Sequence, residues 1–347
     1  MNLIRVCAVV SVWLGLMCCG PVPDAVALPT AEEVLQELHI STSDQQSIRI
    51  GNIVTWTASE GSERELAMGM ALLVKTKAEK VVDLFREASG FKSMGSVITA
   101  HGKITGTETP ADFARFKLEP NEEKEAQRYL EAEPGDELNL DAKEIEAFRA
   151  LRPAGKAGTV PVKEVEALVR QTLRSRYQAY RTKGLSGIAP YERKGGHHIL
   201  ASDELALATK QARLVAKYLP SVYDAVLNYP ALATTERQGL EEQFYWLKID
   251  LFGRPTYVLS HRMLFRIGEA YVVLDRHFYA SHDYNSLQQG IVALPTKDGM
   301  LVTYLSRVST DQVGGFGSGA KHPASRALVA PYFKDLLEAL RAKAEKQ

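Results

Sequence analysis

The stretch Leu66–Val97, LAMGMALLVKTKAEKVVDLFREASGFKSMGSV, changes its hydrophobic period twice, and those changes decide the architecture. From Glu65 to Lys75 the residues are almost continuously apolar, which reads as a largely buried strand. From Lys77 to Ala88 the period becomes helical: Val81, Val82, Leu84, Phe85 and Ala88 form one stripe, with Thr76 placed to cap it. After Gly90 the chain reads as a loop or short turn, and Val97–Ile104 reads as a second strand that ends near Gly106.

Downstream, from Pro110 to about Glu242, Glu, Lys, Arg and Ala become abundant and strand signals fade. Helices are expected over Glu122–Ala132, Asp141–Leu151, Val162–Thr182, Ser202–Tyr218 and Ser221–Leu227, the last two closed by Pro220 and Pro230. Strands then return in quick succession: Phe244–Leu251, Thr256–Arg266, Ala270–Ala280, Leu287–Leu294 and Met300–Val308. Turn residues separate them, and Lys297-Asp298-Gly299 is a hairpin signal. A glycine-rich loop, Gly314–Gly319, leads into a final amphipathic helix over about Pro323–Ala344.

Upstream, residues 28–59 read as an N-terminal helix and a linker, with Thr30 as N-cap and Glu33 completing a capping box. Residues 1–27 have the three parts of a secretion signal: Arg5, an apolar run over Val6–Met17, and Ala25-Val26-Ala27 before the expected cleavage. The apolar run is shorter than the roughly 20 residues that span a bilayer. All three cysteines, Cys7, Cys18 and Cys19, lie in this leader, so a processed chain has no thiol, disulfide or cysteine metal ligand. Met17-Cys18 puts bulky residues where a lipoprotein signal wants small ones, which argues against an anchor on Cys19. Lys and Arg balance Asp and Glu at 42 each, and no basic stripe is present, which argues against nucleic acid as a partner. An exported protein, periplasmic or extracellular, follows from this reading.

Strand, helix, strand, then five antiparallel strands and a long C-terminal helix: this order resembles the START-like, or helix-grip, superfamily of the polyketide cyclase type. The resemblance is carried by Leu66–Val97 and by the strands and helix from Phe244 onward, roughly residues 60–108 and 243–345. It implies an α+β fold in which a curved antiparallel sheet of seven strands wraps the C-terminal helix around an apolar cavity. Residues 109–242 would be a helical insertion between the two parts of that domain. FYASHDYNS (Phe278–Ser286) and SRVSTDQVGG (Ser306–Gly315) also resemble segments of exported bacterial proteins, a likeness that carries no mechanism.

The densest polar cluster is Asp275–Tyr284. His282 and Asp283 at a strand end, with His277 on the strand, are candidate catalytic groups, since a carboxylate can orient a histidine base. Ser281 is a conceivable nucleophile, but sequence neighbours point apart and no G-x-S-x-G elbow supports a hydrolase. His261 could meet His277 or His282 at a metal; hydrogen-bonded core histidines explain the pattern as well, and no metal-site spacing such as H-E-x-x-H occurs. His197-His198 follows a glycine pair in a loop. Neither a metal nor a cofactor is expected. Candidate ligand contacts are Tyr257, Arg262, Tyr271, Tyr279, Tyr304, Arg307, Phe316 and Phe333, with Leu259, Val273, Leu301, Thr303, Leu305 and Leu337 as apolar lining. Core packing accounts for the same alternation.

The function expected is a binding or carrier protein for an apolar or lipid-like molecule held between sheet and final helix. The alternatives are a hydrolase or cyclase-like enzyme using the His282/Asp283 region, and an envelope module whose helical block docks a partner protein.

Overall fold

A computed structural model of the chain describes residues 28–86, 97–106, 110–152, 160–232, 239–315 and 317–346. The expected leader with its cysteines, the turn after Gly90 and Phe316 lie outside these residues. Eight strands form one open antiparallel sheet. From one edge to the other they are β1 (Val54–Thr57), β2 (Glu65–Val74), β10 (Gly299–Ser309), β9 (Ser286–Thr296), β8 (Ala270–Ala280), β7 (Arg254–Ile267), β6 (Leu240–Leu251) and β3 (Ile98–Ile104). A separate hairpin joins β4 (Tyr191–Glu192) and β5 (His198–Ile199). The fold is α+β and its sheet strands, α3 and C-terminal helix follow the expected order, with one strand more in the sheet than the seven read from sequence. The extra one, β1, falls in a polar stretch where only Val54 and Trp56 alternate, too short a run to show a period.

Every residue of β2 is buried, because both faces of the sheet are covered. On one face Met68, Met70, Leu72 and Val74 pack with α3 (Ala78–Arg86) and the C-terminal helix α11 (Ser318–Lys346). On the other, Ala71 and Leu73 meet α1 (Ala31–Glu37) and α2 (Thr42–Arg49). The capping box at the start of α1 is present: Thr30 Oγ1 accepts from Glu33 N–H, and the Glu33 carboxylate accepts from Thr30 N–H at 2.7 Å. α2, capped by Ser41, also lies in the stretch that reads as linker.

Among the described residues the block between β3 and β6 is helical, apart from the β4–β5 hairpin and short turns: α4 (Pro110–Phe113), α5 (Glu123–Leu130), α6 (Ala142–Ala150), α7 (Val162–Lys183), α8 (Ala201–Lys210), α9 (Arg213–Tyr218) and α10 (Pro220–Asn228). The helix read over Ser202–Tyr218 is broken at Gln211-Ala212, and Pro220 opens α10 rather than closing α9. Proline suits that first turn, where the missing N–H has no helical partner.

This block shares one apolar core with the sheet: Phe116, Tyr129, Phe148, Tyr177 and Tyr180 pack with Phe244, Trp246, Tyr257 and Phe278. Buried ion pairs pin it as well. Lys248 Nζ sits 2.9 Å from both Glu122 carboxylate oxygens, and Arg254 holds Glu125 through bonds of 3.0 and 2.9 Å. The sheet face carrying β7 and β8 residues of one parity is therefore roofed by inserted helices, while the opposite face is gripped by α11.

Candidate functional site

The resemblance places a cavity between the sheet and α11, and the structure corrects this. The space enclosed there by Leu72, Val81, Leu84, Ile291, Val302 and Leu337 is about 20 Å³, room for little more than one water. The apolar stripe of α11 (Leu336, Leu337 and Leu340) is buried directly against the sheet and α3. The larger cavity, about 710 Å³, lies on the opposite face. Its floor is Val272 and Leu274 of β8, Gly290, Val292 and Leu294 of β9, and Thr303 and Leu305 of β10. Its roof is α1, α9 and α10, through Val34, Leu38, Val215, Leu219 and Val222.

Two sequence choices open this space. At Gly290 an added Cβ would meet no atom within 4 Å, so the centre of the floor is bare. Trp56 of β1 forms one wall, and it fits because Gly69 opposite it has no side chain; a Cβ there would come within 2.1 Å of the indole. At the rim, the exposed Glu37 of α1 pairs with Lys217 and accepts a hydrogen bond from the Tyr218 hydroxyl at 3.1 Å. These bonds hold the Glu37 carboxyl below its usual range.

One end of the cavity is polar. Arg276, Gln288 and Arg307 face one another directly on β8, β9 and β10, so their side chains share this face. Arg307 donates to Glu65 Oε1 and to Ser59 O, both at 3.1 Å. The Arg276 guanidinium, fully buried, donates to Gln288 Oε1, Thr209 Oγ1, Val226 O and Tyr180 Oη. Gln288, Thr209 and Arg307 line the cavity, and Arg276 stands behind them.

The remaining candidate ligand contacts lie elsewhere. Tyr304, whose hydroxyl donates to Gln289 at 2.9 Å, packs against Phe333 on the α11 face with ring centroids 5.4 Å apart. Tyr271 and Val273 belong to that same core. Arg262 is buried in a pair with Asp275 at 2.6 Å and also donates to Phe85 O. Burial raises the Asp275 carboxyl, but Arg262, His277 and Ser260 more than offset it and leave it below the usual range. Tyr257 is packed under the inserted helices, its hydroxyl 3.4 Å from Glu122, and Tyr279 lies beneath Arg176 with the guanidinium 4.4 Å from its ring centre. Of the named contacts Arg307, Thr303 and Leu305 meet at the larger cavity; Leu301 packs toward α1 and α2. Gln288, Gly290 and Trp56 had no sequence signal that would single them out.

The catalytic candidates are split. His282 Nδ1 is 2.5 Å from Asp283 Oδ2, and its Nε2 is 3.0 Å from Pro255 O, in a buried pocket beside Glu125. Burial raises the Asp283 carboxyl, yet the bonds from His282 and Thr256 bring it below the usual range. His277 instead bonds the Tyr284 hydroxyl at 2.8 Å, and burial depresses its basicity. Ser281 Oγ accepts the Tyr257 N–H at 2.9 Å, a backbone-pinning role. His261 cannot meet His277: it pairs across strands with Arg276, while His277 pairs with Ser260, so the two rings occupy opposite faces. Burial lowers the His261 pKa to about 4, while its Nδ1 bonds Tyr180 at 3.0 Å. His198, exposed, sits 3.3 Å from Glu192. No cluster of three potential metal ligands occurs among the described residues. Within the glycine-rich segment Lys321 Nζ donates to Gly314 O, and the start of α11 is tied to the segment before β2 by His322 Nδ1, 2.6 Å from Glu60.

No family model matches the chain, and no curated protein matches it in sequence. Among solved structures it is similar to a STAR-related lipid transfer protein fragment from Xanthomonas axonopodis, at 12% identity and a TM-score of 0.36, covering 85% of this chain and 94% of that one. It is also similar to human STARD10 (10% identity, TM-score 0.35, 93% and 83% covered). A third is the Zhui aromatase/cyclase from Streptomyces sp. R1128 (14% identity, TM-score 0.25, 41% and 86% covered).

Proposed function

We propose that the chain is an exported binding or carrier protein for an apolar or lipid-like small molecule. The single observation that carries this is the 710 Å³ cavity with its valine and leucine walls and its one polar end. A volume of several hundred Å³, apolar walls and few polar groups are the usual marks of a small-molecule site. The ligand lies between the sheet and the roof of α1, α9 and α10, not against α11. Export is supported by the leader pattern at residues 1–27. An envelope protein that loads or unloads the carrier is the proposed partner. The exposed Leu328 and Tyr332 on α11 support such a contact. No helix of the described residues is long and apolar enough to cross a membrane.

The test is native mass spectrometry and lipid extraction of the purified protein beside Gly290→Leu. The wild type should carry a co-purifying apolar molecule or take one up on addition. The variant, whose new side chain projects into the cavity, should fold and stay empty. Uptake unchanged in Gly290→Leu would remove the cavity as the site.

A further inference from the structure

The polar end of the cavity is a row of donors with too little negative charge to match. Glu65 neutralises Arg307. All the acceptors around Arg276 are neutral, and among the described residues no carboxylate oxygen lies within 4.0 Å of it. A guanidinium buried without a counter-charge is costly, and a fold retains one where something else supplies the anion.

One N–H group on the cavity wall is also unspent, and a second lies buried beside it. Gln288 Oε1 takes bonds from Arg276 at 3.1 and 2.9 Å and from Thr209 at 3.1 Å, which fixes the amide so that its nitrogen is the free end. That nitrogen has no hydrogen-bond partner among the described residues. Arg307 Nε, buried on the directly opposed residue of β10, has none either.

We propose that the ligand is an anionic amphiphile, a long-chain carboxylate, with its head group accepting from the Gln288 amide beside Arg307 and its chain lying over Gly290 and Leu274. The head group supplies the counter-charge that Arg276 lacks, passed through the Gln288 amide that Arg276 polarises. This deepens the carrier reading and rests on it.

The experiment compares hexadecanoate with hexadecanol by displacement of a fluorescent fatty-acid probe at neutral pH, on wild type, Gln288→Glu and Gln288→Met. Wild type should bind hexadecanoate at least tenfold more tightly than hexadecanol. Gln288→Glu gives Arg276 an internal carboxylate and should abolish that preference while hexadecanol still binds. Gln288→Met keeps the side-chain length, removes the donor and should narrow the preference in the same direction. If acid and alcohol bind equally to wild type, or the preference survives both substitutions, the head-group site is overturned while the carrier reading stands. If neither compound binds wild type, both fall.

Discussion

The indole of Trp56 rests on the backbone of Gly69, its partner across β1 and β2, with no room for a methyl group between them. One contact thus completes the sheet edge and builds a wall of the cavity. Gly69→Ala must push the indole aside. A loss of about 1–3 kcal/mol in chemical denaturation is expected, the usual range for overpacking. Faster release of bound ligand, measured by stopped-flow fluorescence, should accompany it. An unchanged midpoint with unchanged release would show that Trp56 does not shape the wall.

Stability should depend on pH through buried histidines and a buried carboxyl that act in opposite senses. His261 takes a proton near 6.5 when unfolded and near 4 when folded, because burial opposes its charge. Between those values the unfolded chain holds more protons, so stability falls as pH drops through that window, by on the order of 3 kcal/mol in all. Glu204, buried beside Ser286 and Asn285, has its pKa raised by burial from 4.5 to about 7. Here the folded chain holds the extra proton, so stability falls as pH rises from 4.5 to 7. His277, also depressed by burial, adds to the acid-side loss, so denaturation midpoints should change less steeply with pH between 4.5 and 6.5 in the wild type than in Glu204→Gln. Glu204→Gln should leave only the acid-side loss. A Glu204→Gln profile that still declines above pH 5 would contradict the assignment.

Glu125 sits almost fully buried between Arg254 and Arg128, with His282 3.8 Å away. Glu125→Ala removes the carboxylate that Arg254 holds, while Arg128 keeps Glu137 at 3.1 Å, and a cost of about 1–3 kcal/mol is expected for this half-buried cluster. Because α5 is tied to β7 through this residue, limited proteolysis should detect the inserted helices loosening before the sheet does. A variant with wild-type stability and protease resistance would mean that the pair does not dock the block.

His282→Ala separates the carrier from the enzyme. The ring is buried in its own hydrogen bonds, on the α5 side of the sheet and outside the cavity lining. Lower thermal stability with ligand affinity within about twofold of wild type is expected. Complete loss of a measurable hydrolytic or cyclase turnover, at retained fold, would favour the catalytic alternative.

Much of the fold was legible because it depends on local period. Ala270–Ala280 runs between the residues read from its pattern, and Glu65–Val74 and Val162–Lys183 differ from expectation only at an end. β1 and α2 escaped notice, since four alternating residues and a polar helix of low mean hydropathy lack a period strong enough to read. The site was much less legible. Alternation says that Tyr271 and Val273 share a face and that Thr303 and Leu305 share a face, but not that these are opposite sides of one sheet. Register decides that, and register is set between strands: Tyr271 pairs with Ala293 and Leu305 with Gly290.

The sequence by itself determined the order of the longer elements, the capping box of α1, the Lys297–Gly299 hairpin turn and the C-terminal helix, because each depends on residues a few positions apart. Only the tertiary structure decided which side of the sheet stays open. Along α11 the stripe of Leu336, Leu337 and Leu340 closes tightly on Leu72 and Val302. Across the other face, the bare Cα of Gly290 and the span of α1, α9 and α10 leave 710 Å³ unfilled. A void is a property of how distant side chains fail to meet, and no local pattern encodes it.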